Sequence, residues 1–159
     1  KLPVDLDQLT EWLATVNDES LVFPEVYPLE TIEDAAGYLC DPPLADGAET
    51  RLLRHLLTLW LNYASGRIAG DQDLDQLCDG DEIMPQGDIP ETVLELLAAV
   101  EAALLDENTT DEDLNFWSEV VDAVNNSLVP GEPGCTAPMQ TSGRLHAGRG
   151  THGGKVIVR

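Results

Sequence analysis

Basic side chains are scarce in this sequence: eight Lys and Arg stand against thirty Asp and Glu in 159 residues, for a formal net charge of -22. A phosphate backbone demands clustered Lys and Arg, so nucleic acid is excluded as a partner. Cysteine is equally sparse, with Cys40, Cys78 and Cys135 as the full set and no paired spacing of the kind that holds a structural metal. Aromatic residues make up 5% of the chain. No apolar run reaches the length of a membrane span, because even the Leu-rich centre is interrupted by Arg54 and His55. The chain opens Lys1-Leu2-Pro3 with neither an initiator Met nor a signal-peptide pattern, which reads as a processed chain or an excised piece. What remains is an ordinary hydrophobic share of 43% in a chain long enough to bury a core.

The charge is unevenly spread. All thirty carboxylates lie at or before Glu132, where only Lys1, Arg51, Arg54 and Arg67 offset them. Beyond Glu132 come Arg144, Arg149, Lys155 and Arg159, with His146 and His152 and no acid. Two readings follow: a solubilising or salt-adapted acidic surface with a plain end, or a tail that docks on an acidic face of this or a neighbouring molecule.

The chain is organised around residues 46–66, DGAETRLLRHLLTLWLNYASG. At helical spacing, Arg51, Arg54, His55, Thr58, Asn62 and Ser65 share one narrow stripe, and Leu, Trp, Tyr and Ala fill the rest of the cylinder. A helix apolar over so much of its surface must be surrounded by other elements. Asp46 with Glu49 forms a capping-box start, and Gly66 stands where a left-handed C-terminal residue is wanted, with Arg67 near the negative end of the dipole.

Around it the periodicity predicts four more helices. Residues 3–16 place Leu6, Leu9, Leu13 and Val16 on one face beside Trp12, with Asp5 as a start. Residues 17–30 form a connector with exposed-looking Phe23 and Tyr27. Thr31-x-x-Asp34 opens a short helix to Leu39, stopped by Pro42 and Pro43. A long helix is expected over 89–106, with Asp88 as cap, Pro90 in the first turn, and Val93, Leu96, Leu97, Val100 and Leu104 as its core face. Thr110-x-x-Asp113 opens the last, to about Asn126, with Leu114, Trp117, Val121, Val124 and Leu128 as one seam. Trp12, Trp60 and Trp117 all fall on apolar faces and read as core. The fold class is therefore all-α, a small helical bundle around a central buried helix (46–66), with an acidic helical domain over 1–129 and a Gly/Pro-rich basic tail or linker over 130–159.

Residues 69–87 carry the most chemistry. Asp71, Asp73, Asp75, Asp79 and Glu82 fall where an EF-hand loop places its oxygen ligands, with the Leu77 carbonyl between them. Gln76 occupies the position that needs Gly, and Met84-Pro85 does not continue into a helix. A looser calcium site that includes Asp81 remains open, against a solvated acidic loop as the plainer reading. Calcium is the one cofactor the spacing admits. Cys40 and Cys78 flank the central helix; a disulfide between them would contribute roughly 4 kcal/mol through loop closure and imply an oxidising compartment, the alternative being two buried thiols.

From Pro130 the sequence turns to Gly, Pro, Ser and Thr and ends in Lys155-Val156-Ile157-Val158-Arg159, a short β-favouring run. The alternatives are a strand that pairs with a partner's sheet edge, the start of a following β domain, or a linker. Asn108-Thr109-Thr110 and Asn125-Asn126-Ser127 fit the glycosylation acceptor pattern. His55 has no Ser or Cys nucleophile motif beside it and reads as a structural histidine, and no phosphate-binding loop occurs, so the chain is not expected to be an enzyme.

The Leu-rich helix ending LTLWLNYASG, the acidic loop, the TVLELLAAVEAALL helix and the DENTTDEDLNFWSEVVDAVNN helix together resemble modules of large secreted bacterial proteins. Those modules end a Leu-rich helix in LNxASG and close in a similar DAxNN. The likeness covers residues 46–127; the N-terminal part lacks the GYWKNH-type motif that many of them carry. The resemblance implies a helical module of a secreted or cell-surface protein, without a transferred activity. The functional expectation is a non-catalytic extracellular interaction or structural module. Arg144, Arg149 and the run Lys155, Val156, Ile157, Val158 and Arg159 would engage a protein partner or a second copy. A calcium-binding module is the alternative.

Overall fold

The Leu-rich centre forms one helix, and four others wrap it. The computed structural model describes residues 5–40, 47–74 and 88–127. They form α1 (Leu6–Glu19), α2 (Ile32–Cys40), α3 (Ala48–Ala64), α4 (Val93–Leu105) and α5 (Asp111–Ser127). The fold is all-α, and none of these helices is long and apolar enough to cross a membrane. Leu52, Leu53, Leu56, Leu57, Leu59 and Trp60 are buried on α3, which touches all four other helices.

The end of α3 is built as its sequence requires. Gly66 has φ 71°, its N–H bonds the Tyr63 carbonyl and the Arg67 N–H bonds that of Asn62, each at 2.9 Å. This Schellman arrangement satisfies carbonyls that the helix leaves open, and a Cβ would disfavour the left-handed residue. The start of α3 differs from expectation. Its N-cap is Gly47, without a side-chain cap bond, and Asp46 lies outside the described residues.

Thr31 and Asp34 open α2 as predicted: Asp34 Oδ2 accepts from the Thr31 N–H at 2.8 Å, and Thr31 Oγ1 accepts from the Asp34 N–H at 3.1 Å. Thr110 and Asp113 repeat the device on α5. On α1, Asp5 caps the helix and Leu13 and Val16 are buried, but the helix runs on to Glu19 and Leu6 is 64% exposed.

Two expectations are corrected. Phe23 is fully buried, edge-on to Tyr38 with centroids 5.9 Å apart, and follows the also buried Val22; the connector therefore fills core space. The Phe23–Pro24 peptide is cis. Tyr27, half-buried, donates to Glu49 in the first turn of α3. The second correction is the start of α4. Thr92, four residues after Asp88, is the N-cap, with a complete Thr92–Glu95 capping box. The chain before it stays extended because it pairs with residues 72–74: the Leu74 N–H bonds Glu91 O at 2.9 Å and the Val93 N–H bonds Gln72 O at 3.2 Å. Backbone pairing here overrides the helix start that Asp88 and Pro90 advertise.

Pairings between helices give their directions. Arg51 meets Asn115, His55 meets Asp122 and Asn62 meets Asn125, so α3 and α5 run the same way. Trp60 meets Glu101, while Tyr63 lies beside Leu94 across Gly70, so α4 runs opposite to α3. The C-terminal ends of α3 and α5 and the N-terminus of α4 therefore share one end of the bundle.

Candidate functional site

Polar groups inside the bundle form two clusters. Glu101 is 2% exposed, and its core position was legible: it lies four residues after Leu97 and eight after Val93, on the face that α4 buries. Its Oε1 accepts from Ser20 Oγ at 2.5 Å and from Trp60 Nε1 at 2.9 Å, and its Oε2 accepts from the Leu21 N–H at 2.9 Å. Ser20 Oγ in turn accepts from the N–H groups of Val22 and Phe23 at 3.1 and 2.9 Å. A buried carboxylate is costly unless its lone pairs are occupied. Here one side chain ties together the end of α1, the connector, α3 and α4. The Ser20 hydroxyl donates once and accepts twice, so its capacity is spent on structure.

The second cluster is the seam between α3 and α5. The polar stripe of α3 packs against α5. Arg51 Nη1 donates to Asn115 Oδ1 at 3.1 Å, Asn62 Nδ2 donates to Asn125 Oδ1 at 3.0 Å, and Asn125 Nδ2 donates to the His55 carbonyl at 3.0 Å. His55 Nδ1 lies 3.1 Å from Asp122 Oδ1. Burial lowers the His55 pKa below its ordinary value; Asp122 pulls it up, while Arg54 and Arg51 add to the lowering. Of the two acceptor-pattern asparagines, Asn125 is engaged between two helices, whereas Asn108 is exposed with its amide bonded to Asp106.

The residues expected at a calcium loop are only partly described. Asp71 is exposed and Asp73 sits in the bridge to Thr92; Asp75, Asp79, Asp81 and Glu82 lie outside the described residues. The helix before them ends at Ala64, and the Gly66 turn and the Gln72 N–H to Ala69 O contact at 3.1 Å intervene before Asp73. An EF-hand helix runs straight into its loop, so that geometry is absent on this side. No metal-holding group of carboxylate, His or Cys occurs among the described residues. Cys40 is exposed at the end of α2; Cys78 and Cys135, and with them the expected bridge, lie outside the described residues, as do Arg144, Arg149 and Lys155 to Arg159.

The carboxylates of the described residues otherwise face outward or sit at the boundary, several of them as helix caps and first-turn residues. None of the five helices has a basic residue in its last turn. The body thus presents acid on its sides, an environment that attracts cations. No protein family matches the chain, and comparisons with curated proteins and with solved structures returned no match.

Proposed function

We propose that the chain is a non-catalytic interaction module of a secreted or cell-surface protein. In this reading its basic C-terminal tail docks on, or strand-pairs with, a partner subunit or domain. The observation that carries the reading is the segregation of charge: no acid follows Glu132, while Arg144, Arg149, Lys155 and Arg159 all do. The body complements it with an acidic exterior. What supports a non-catalytic role is that Glu101, Ser20 and His55, the interior groups suited to proton transfer or attack, all serve helix-to-helix contacts.

The test is amide hydrogen exchange of the full chain, alone and in its native assembly. Slowed exchange over residues 155–159 is expected in at least one of these settings. Unprotected exchange in both, with a chain ending at Gly134 assembling like the full one, overturns the reading.

A second reading, calcium binding at 71–82, is favoured by one observation. The pairing of Leu74 with Glu91 ties the two sides of the acidic stretch together and holds Asp71 and Asp73 at its entrance. Calcium is then expected to raise the Tm of the full chain, and Asp71→Asn with Asp73→Asn to abolish the rise. An unchanged Tm removes it.

A further inference from the structure

α4 is apolar nearly all round, and part of that surface is uncovered. Its core side holds Val93, Leu96, Leu97 and Val100. Its other side exposes Leu94, Ala98, Ala102 and Leu105, with the two leucines 44% and 45% exposed. Leu94 and Leu105 stand about 16 Å apart along the axis, with the short alanines forming a saddle between them. Carboxylates bracket the stripe: Glu91 and Glu95 at one end, Asp106 and Glu107 at the other. A helix apolar on both sides is one that another element covers.

We infer that the cover is the chain's own terminal run, Lys155 to Arg159, seated on α4 of the same molecule. The inference rests on the docking role proposed above and names the domain that receives the tail. Three features select this occupant. The run has a cation at each end and apolar residues between, the complement of a stripe with acid at each end. Extended, it spans about 13 Å, close to the leucine separation, and its alternation puts Lys155, Ile157 and Arg159 on one face. Ile157 then sits over Ala98 and Ala102, with Lys155 and Arg159 directed to opposite acidic ends. Finally, the tether is adequate. The chain leaves α5 at the end of the bundle where α4 begins, and a Gly-rich linker of the length of residues 128–154 has a root-mean-square span of roughly 30 Å, against about 20 Å for α4. Such a tether makes docking within one molecule effectively concentrated.

The experiment uses the full chain, methyl-labelled, by NMR at several concentrations. Contacts between the Ile157 δ1 methyl and the β methyls of Ala98 and Ala102 are expected, independent of concentration, with ordered backbone relaxation over 155–159. In Ala98→Arg and Ala102→Arg, which alter exposed helix positions and so leave the body spectrum in place, those contacts and the ordering are lost. An ordered tail without α4 contacts, or one insensitive to both variants, overturns the inference while leaving the docking role intact. So does a tail ordered only with a second polypeptide or at high concentration. A tail mobile alone and in the native assembly overturns both.

Discussion

The indole N–H of Trp60 donates to Glu101 Oε1 at 2.9 Å inside the bundle, so the largest side chain of α3 is oriented by the only buried carboxylate among the described residues. That carboxylate also receives Ser20 Oγ and the Leu21 N–H, and through Ser20 it fixes the turn that delivers Val22 and Phe23 to the core. The apolar core therefore depends on a polar anchor.

Removing the anchor should cost more than its size suggests. Glu101→Ala leaves the buried Ser20 Oγ and Trp60 Nε1 and the part-buried Leu21 N–H without acceptors, and a loss of roughly 2–4 kcal/mol is expected. Glu101→Gln keeps one acceptor oxygen and should cost less, about 1–3 kcal/mol. Glu101→Ala paired with Trp60→Phe should be non-additive by about 1 kcal/mol, because both changes break one contact. Urea midpoints at constant slope measure all three. Additive costs would show that the Trp60 contact is incidental.

His55 should make the fold acid-sensitive in a definite direction. Its folded pKa is lowered, chiefly by burial, with Asp122 opposing and Arg54 and Arg51 assisting. The unfolded chain therefore binds the proton more readily, so His55's contribution is fully present above the ordinary histidine pKa of about 6.5 and is lost as pH falls through the folded value. Tm should drop between about pH 7 and pH 5 beyond what carboxylate titration explains, and His55→Gln should flatten that part of the curve. An NMR titration that placed the His55 midpoint above 6.5 would reverse the sign.

These groups also mark how far the fold is legible in sequence. Capping pairs at Thr31/Asp34 and Thr110/Asp113 and the glycine ending α3 act over three or four residues, and the structure follows them. The polar stripe of α3 was visible, but its partner was not. Asn115, Asp122 and Asn125 are ordinary surface types on α5 until the two helices are brought side by side. Glu101 could have been found from its position on the α4 core face, since a charge there demands donors, but no pattern near it names Ser20 or Trp60 across 81 and 41 residues. Phe23 was misread because a proline-rich connector carries no periodicity to declare its buried side.

Close packing at Gly70 gives a third test. A Cβ there would lie 2.7 Å from Leu94 Cγ and Cδ1 and 3.0 Å from Tyr63 Cε2. Gly70→Ala should therefore destabilise by about 1–3 kcal/mol as Leu94 is forced aside. Shortening the obstacle with Leu94→Ala should recover most of that loss, so the double variant matches Leu94→Ala alone in thermal unfolding. Equal costs of Gly70→Ala in both backgrounds would place the strain elsewhere.

The start of α4 separates local signal from tertiary pairing. Asp88 and Pro90 are the start signature expected from sequence, yet the capping-box pair Thr92-x-x-Glu95 is the one used: Thr92 Oγ1 accepts from the Glu95 N–H at 3.4 Å, and Glu95 Oε2 accepts from the N–H groups of Glu91 and Thr92 at 3.1 Å. A helix that began at Asp88 would have to break the Leu74 to Glu91 and Gln72 to Val93 backbone bonds, and neither residue of the signature offers a replacement. Thr92→Ala should thus cost about 1 kcal/mol, the usual value of a lost N-cap. Asp88→Ala should leave the urea midpoint where it was. If the two effects were exchanged, the helix would begin where its sequence first suggests, and residues 72–74 would lose their backbone partner.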